Sequence, residues 1–245
     1  HWLLMLVFGI TGSLLDVAVN TEATEIERLA AKPLMSGFHG MFSLGGMAGA
    51  SLGSAAPALG LSPQGHLLLA TGVGAVIVLL ASRAMLPVPE KEAGEKHPLS
   101  LPRGPLLLLG VLAAMGLITE GAMYDWSVLF MKQERASSAS TAALAYASFS
   151  GAMAVGRFGG DWVRARVSPG RLMRASGVLA AAGMALALAV PSAEVALLGF
   201  ACVGVGLCSV VPVLCSAASP TPGVSPAHGI AAVSGVGYLG MMAGP

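Results

Sequence analysis

The sequence predicts an all-α, polytopic transmembrane helix bundle, and three observations carry that prediction. First, 55% of the 245 residues are hydrophobic and only 10% are charged, with a mean hydropathy of +0.79. A soluble domain carries about a quarter charged residues. So few charges cannot cover a water-facing surface, which makes lipid the solvent over most of the chain. Second, apolar runs of roughly 20 residues, the length a bilayer-crossing helix needs, recur along the sequence. Third, these runs lack the two-residue alternation of strands, which excludes a β-barrel.

Charges punctuate the chain into eight predicted spans, at 2–21, 34–58, 65–86, 105–131, 139–160, 172–191, 194–216 and 227–245. The second and third come from one charge-free stretch, 33–82, that is too long for a single crossing. Pro57 to Gln64 (PALGLSPQ) supplies the turn that divides it. Segment 88–104 (VPEKEAGEKHPLSLPRG) is the one long polar stretch and reads as a linker between two bundles, 1–87 and 105–245. The charge-free stretch 195–245 is divided by Ser219 to Pro226 (SPTPGVSP) into the last two spans.

The connections alternate in charge. Arg28 and Lys32, then Arg83, Lys91, Lys96 and Arg103, then Arg157, Arg164, Arg166, Arg171 and Arg174 fall on one side, and only Lys132 and Arg135 on the other. The positive-inside rule places the rich side in the cytoplasm. Segments 22–33, 88–104, 157–171 and 217–226 are therefore expected there, in a bacterial inner membrane. The chain starts at His1 inside one apolar run and stops at Pro245 inside another. Both ends read as cut, so a fragment is expected.

Net charge is +1, and nothing points to nucleic acid. Cys202, Cys208 and Cys215 share one apolar run without polar partners, which fits buried thiols rather than a metal site or a disulfide framework. No nucleophile–base pairing, metal-ligand spacing or phosphate loop is visible, so neither an enzyme nor a cofactor is expected. Gly45, Gly49 and Gly53 form a small-residue ridge, and Gly235, Gly237, Gly240 and Gly244 crowd the last span. Such glycines let helices approach closely or flex.

An ionisable group at mid-bilayer costs about 2.5–3.5 kcal/mol and usually faces a cavity. Four stand inside predicted spans: Asp16, His39, Glu120 and Asp125. Asn20 lies one turn from Asp16, and the pair suits a hydroxyl-rich ligand or a proton. Tyr124 lies one turn from Glu120, where a phenol could orient a ligand. His39 suits a proton relay. Asp125, beside Trp126, lies nearer the outer end. His66 and His228 fall at span ends, where solvation is expected. Each has a purely structural reading too, as a packing or bonding partner of a neighbouring helix.

The stretch GRFGGDWVRARVSPGR (156–171) resembles the loop signature of the major facilitator superfamily through Gly156, Arg157, Gly160, Asp161, Arg164 and Arg166. Gly160 permits close helix contact, and Asp161 can pair with arginines or satisfy a helix end, making a latch that breaks on rearrangement. Residues 14–50 resemble helices four and five of a bacterial branch related to the fucose permeases, and Glu120 to Phe130 that branch's helix seven. The resemblance implies that the eight spans are helices four to eleven of a twelve-helix fold. Asp16 then falls where the permeases place a helix-four glutamate that handles sugar and proton. The proline-glycine motif of drug-antiporter fifth helices is absent from SLGGMAGASLG.

The expected function is secondary active transport of a small solute, a sugar or related metabolite, coupled to protons through alternating access of two bundles. The expected partners are the solute, the proton and the bilayer, and the expected state is a monomer. The rivals are a proton-driven exporter of drugs or metabolites with the same fold, and a non-transporting membrane sensor.

Overall fold

A computed structural model describes residues 2–86 and 102–244. The expected linker 88–104 therefore lies outside the described residues, except for its last three positions. Every described element is helical. In chain order they are α1 (Trp2–Ala30), α2 (Met35–Ala55), a 3-10 turn (Ala56–Leu59), α3 (Pro63–Ser82), α4 (Pro105–Gln133), α5 (Ala139–Arg164), α6 (Pro169–Ala189), α7 (Ala193–Leu207), α8 (Val210–Ala218) and α9 (Pro226–Ala243).

The helix starts are written locally. Ser62, Ser138, Ser192 and Ser225 cap α3, α5, α7 and α9, each accepting a bond from the amide three residues on. Proline stands in the first turn of α3, α4, α6 and α9, where its missing N–H is no loss. Five segments are long and apolar enough to cross a membrane: α1, α3, α4, α6, and Ala193–Ala218, which joins α7 and α8. The remaining long helices, α2, α5 and α9, contain 21, 26 and 18 residues and are rich in glycine, alanine and serine.

Two boundaries differ from the sequence reading. Residues 22–30 continue α1 as helix, and the signature at 156–164 is the last part of α5 rather than a loop. The expected span 194–216 is two helices, interrupted at Cys208 and Ser209. Pro212 explains the interruption: with no N–H, it cannot bond back to the carbonyl of Cys208. Regular bonding resumes from the Val213 amide to the Ser209 carbonyl at 3.0 Å.

The chain forms two compact units, His1–Gly40 with His97–Pro245, and Met41–Lys96. In the second, Gly60 closes the 3-10 turn in the left-handed region at φ 72°, and Gly53 approaches His66 on α3. Nothing lies within 4 Å of where side chains at Gly45 and Gly49 would begin. In the first unit, α4 packs on α9 and α5, and α7 packs between α5 and α6. Phe149, Met131, Met153 and Val203 are buried at these contacts.

Glycines set the spacing. A Cβ at Gly204 would fall 2.2 Å from the Phe149 carbonyl oxygen, and one at Gly183 or Gly199 would fall 2.6 or 2.4 Å from the other's carbonyl oxygen. On α9, Gly237, Gly240 and Gly244 lie against residues 113–118 of α4, while Gly235 faces open space.

Candidate functional site

Two polar layers sit in the first unit. The inner one begins on α1. Asp16 and Asn20 are one turn apart, and the Asn20 amide donates to Asp16 Oδ1 at 3.0 Å and to the Asp16 carbonyl at 2.9 Å. Tyr238 and Ser234, one turn apart on α9, lie within hydrogen-bonding reach of the Asp16 carboxylate. On α4, Glu120 is buried and accepts a 3.0 Å bond from the Tyr124 hydroxyl. Arg157 of α5, also buried, brings Nη2 to 3.7 Å from the same oxygen, Oε1. Tyr238 lies within electrostatic reach of both Asp16 and Glu120. The Tyr124 ring stands 5.5 Å from both Tyr146 and Phe149. All three tyrosines of the chain therefore gather around the two carboxylates.

The second layer lies three turns further along α1, about 16 Å from Asp16 by helix rise. α2 starts at Met35, and its first amides have no partner within the helix. Two carboxylates from other helices supply them. Glu27 Oε2 accepts from the amides of Leu34 (2.7 Å) and Met35 (2.8 Å). Asp161 accepts from those of Ser36 (2.9 Å) and Gly37 (2.7 Å). Both negative charges meet the positive end of the α2 dipole. Arg164 ties the carboxylates together: Nη1 donates at 3.0 Å to each of Glu27 and Asp161, and Nη2 donates to Glu27 at 3.1 Å and to Ser216 on α8 at 2.6 Å. The Ser216 hydroxyl in turn donates to Glu27 at 2.6 Å. The network joins α1, α2, α5 and α8.

The signature residues divide between the two layers. Asp161 and Arg164 are in the second. Gly160 lets α5 reach the start of α2, since a Cβ there would collide with Ser36 Oγ at 2.7 Å. Gly156 does the same for Cys208 at the α7–α8 break. Arg157 stands in the inner layer with Glu120. Arg166 belongs to neither, and lies 4.0 Å over the exposed Trp162 ring. His39 lies within electrostatic reach of Arg157 in the inner layer and of Arg164 in the second. Asp125 is exposed and outside both clusters. Among the described residues, no group of acidic, histidine or cysteine side chains could hold a metal ion.

Sequence reasoning missed Tyr238, Ser234, Glu27 and Ser216. Glu27 carried a legible signal: positions 16, 20, 23, 24 and 27 make one helical stripe, and Asn20, Ala23 and Thr24 are the buried residues of α1. Ser234, Tyr238 and Ser216 stand in charge-free runs and carried none.

The family model described as Major Facilitator Superfamily matches residues 1–245. The chain is 38% identical over 245 residues to an uncharacterized MFS-type transporter of Yersinia pestis, covering 98% of this chain and 62% of that protein. It is 31% identical to the membrane protein MosC of Rhizobium meliloti, covering 98% and 59%, and 31% identical to the uncharacterized transporter y4wD of Sinorhizobium fredii, covering 98% and 64%. The chain thus spans about three fifths of the length of these relatives. No solved structure matches it.

Proposed function

The chain belongs to the major facilitator superfamily and is a multi-pass membrane protein, and from that premise we propose that it serves proton-coupled secondary transport of a small hydroxylated solute. The observation that carries this reading is that Tyr238 lies within electrostatic reach of both Asp16 and Glu120. The two carboxylates differ in their surroundings. Glu120 has a cation, Arg157, at 3.7 Å. Around Asp16, the donors among the described residues are the neutral Asn20, Ser234 and Tyr238. An ionised carboxylate without a cation is expensive inside a membrane, and a proton removes that cost. Asp16 is accordingly the proposed proton carrier. Glu120, Arg157, Tyr124 and Tyr238 offer donors, acceptors and ring faces for a sugar or related metabolite.

The layer around Arg164 is the proposed gate latch. It closes one end, taken as the cytoplasmic end from the distribution of lysine and arginine, in a bacterial inner membrane. Opening that end would strip four amides of α2 from Glu27 and Asp161 and separate Arg164 from Glu27. His39, within electrostatic reach of Arg157 in the inner layer and of Arg164 in the latch, would carry the charge state of one to the other. Rocking of two bundles then exposes the Asp16 layer to each side in turn.

The test reconstitutes the full-length protein in liposomes containing a pH-sensitive dye. Hexoses, deoxyhexoses and small acids are added in turn. Solute-triggered proton movement that is lost in Asp16→Asn is the expected result. Movement that survives in Asp16→Asn would remove Asp16 from the proton's path, and no movement with any compound would defeat proton coupling.

A further inference from the structure

Beside the latch lies an open cavity of about 220 Å³, lined by the α1–α2 turn at Pro33, the end of α5 at Arg164, the α5–α6 turn at Val167, the start of α6 at Leu172, and α8 at Val213 and Ser216. Its two polar walls are already engaged. Arg164 is bonded to Glu27, Asp161 and Ser216, and Ser216 donates to Glu27. The rest of the lining is aliphatic, so the interior suits an apolar occupant.

The rim has a different character. Three lining residues each have an exposed basic neighbour in sequence: Lys32 before Pro33, Arg166 before Val167, and Arg171 before Leu172. Arg166 is fixed in place, with its guanidinium over Trp162 and a 2.9 Å bond to the Trp162 carbonyl. Trp162 is 64% exposed. An exposed tryptophan under an arginine is what a membrane–water boundary favours, and Arg166 is the sequence neighbour of the lining residue Val167. An apolar interior with a cationic mouth matches a molecule with an aliphatic body and an anionic head.

We propose that this cavity binds an anionic phospholipid of the adjoining leaflet, with its glycerol and first acyl carbons against Leu172 and Val213 and its phosphate at Lys32, Arg166 and Arg171, and that the bound lipid braces the closed latch. The bracing rests on the gate reading above; the binding does not. The lipid touches the α1–α2 turn, α5, α6 and α8 together, so it stabilises the arrangement in which those four are joined.

The test uses the purified full-length protein in mild detergent. Phosphatidylglycerol, phosphatidylcholine, glycerol 3-phosphate and inorganic phosphate are added separately. Lipid retention is read by native mass spectrometry, and melting by intrinsic fluorescence. Phosphatidylglycerol is expected to be retained and to raise Tm, and the other three are not. The Lys32→Gln/Arg171→Gln variant is expected to lose about tenfold or more of that preference, since each basic residue at an anionic surface contributes roughly a fivefold factor. Leu172→Trp, which fills the cavity and leaves the rim intact, is expected to abolish retention. Ala217→Leu fills it from another wall and serves if Leu172→Trp does not fold. Equal retention of both lipids would overturn the proposal, as would stabilisation by glycerol 3-phosphate or phosphate alone, or full retention in a folded cavity-filling variant. None of these readouts depends on transport, so failure to find a transported solute leaves them distinguishable.

Discussion

Glu27 and Arg164 lie 137 positions apart in the sequence and share two hydrogen bonds, of 3.0 and 3.1 Å. Both side chains are mostly buried, at 16% and 9% exposure. The same carboxylate holds the first two amides of α2. One residue therefore binds a helix end and a cation at once, and its loss is felt by both.

The first prediction concerns that pair. Glu27→Gln keeps the shape and removes the charge, leaving Arg164 with Asp161 and the Ser216 hydroxyl. Removing one partner of a buried pair costs about 3 kcal/mol, which favours the open arrangement. Cys215 is 2% exposed and lies within electrostatic reach of Arg164, so its thiol reports on access past the latch. In a Cys202→Ala/Cys208→Ala background, Glu27→Gln is expected to speed labelling of Cys215 by a membrane-impermeant maleimide by at least about tenfold. Unchanged labelling would mean that the network is not a gate.

The Tyr238 hydroxyl lies within hydrogen-bonding reach of Asp16, and the residue is 39% exposed. Tyr238→Phe therefore removes one bond without opening a packed core. A hydrogen bond to a charged group contributes about 1.5–3 kcal/mol. The expected outcome is a rise in apparent KM for the solute of about tenfold with Tm unchanged. A fall in Tm with KM unchanged would make Tyr238 a structural residue.

Glu120 and Arg157 are expected to behave as a unit. Arg157→Gln takes the cation from a buried carboxylate, and Glu120→Gln takes the carboxylate from a buried guanidinium. Each single variant is expected to melt below the double variant Glu120→Gln/Arg157→Gln. The cycle should return a coupling of about 1–3 kcal/mol, measured by thermal unfolding in detergent. Additive effects would show that their 3.7 Å approach carries no energy.

The helices were legible because lipid imposes a strict length and polarity on every crossing. Pro57–Gln64 and Ser219–Pro226 were found for the same reason: a charge-free run too long for one span must turn, and prolines mark the place. The break at Cys208–Ser209 was not read, although Pro212 marks it, because hydropathy averages over a proline. Asp16, Asn20, Glu120 and Tyr124 stood out as candidates because charge is costly in that solvent. Ser216, Ser234 and Tyr238 were missed because a neutral hydroxyl costs little there and reveals itself only through its partner. Arg157 shows a third case. Its sequence neighbours suggest the latch, but two helical turns separate it from Arg164, about 10 Å along α5, and that distance places it beside Glu120.

The last prediction tests packing. Lipid supplies no hydrophobic drive between helices, so α5 and α7 are held by close contact. At Gly204 a Cβ would fall 2.2 Å from the Phe149 carbonyl and 3.1 Å from the Met153 amide nitrogen. Both are backbone atoms, so no side chain can swing aside, and α7 must move off α5. Gly204→Ala is therefore expected to destabilise the protein by about 1–3 kcal/mol. Gly151, also on α5, has nothing within 4 Å. Gly151→Ala should be neutral or stabilising by up to about 1 kcal/mol, because alanine is the better helix former. The two variants make the same chemical change and differ only in what the methyl group meets. Comparing their Tm values isolates that contact, and equal values would refute the close approach of α5 and α7.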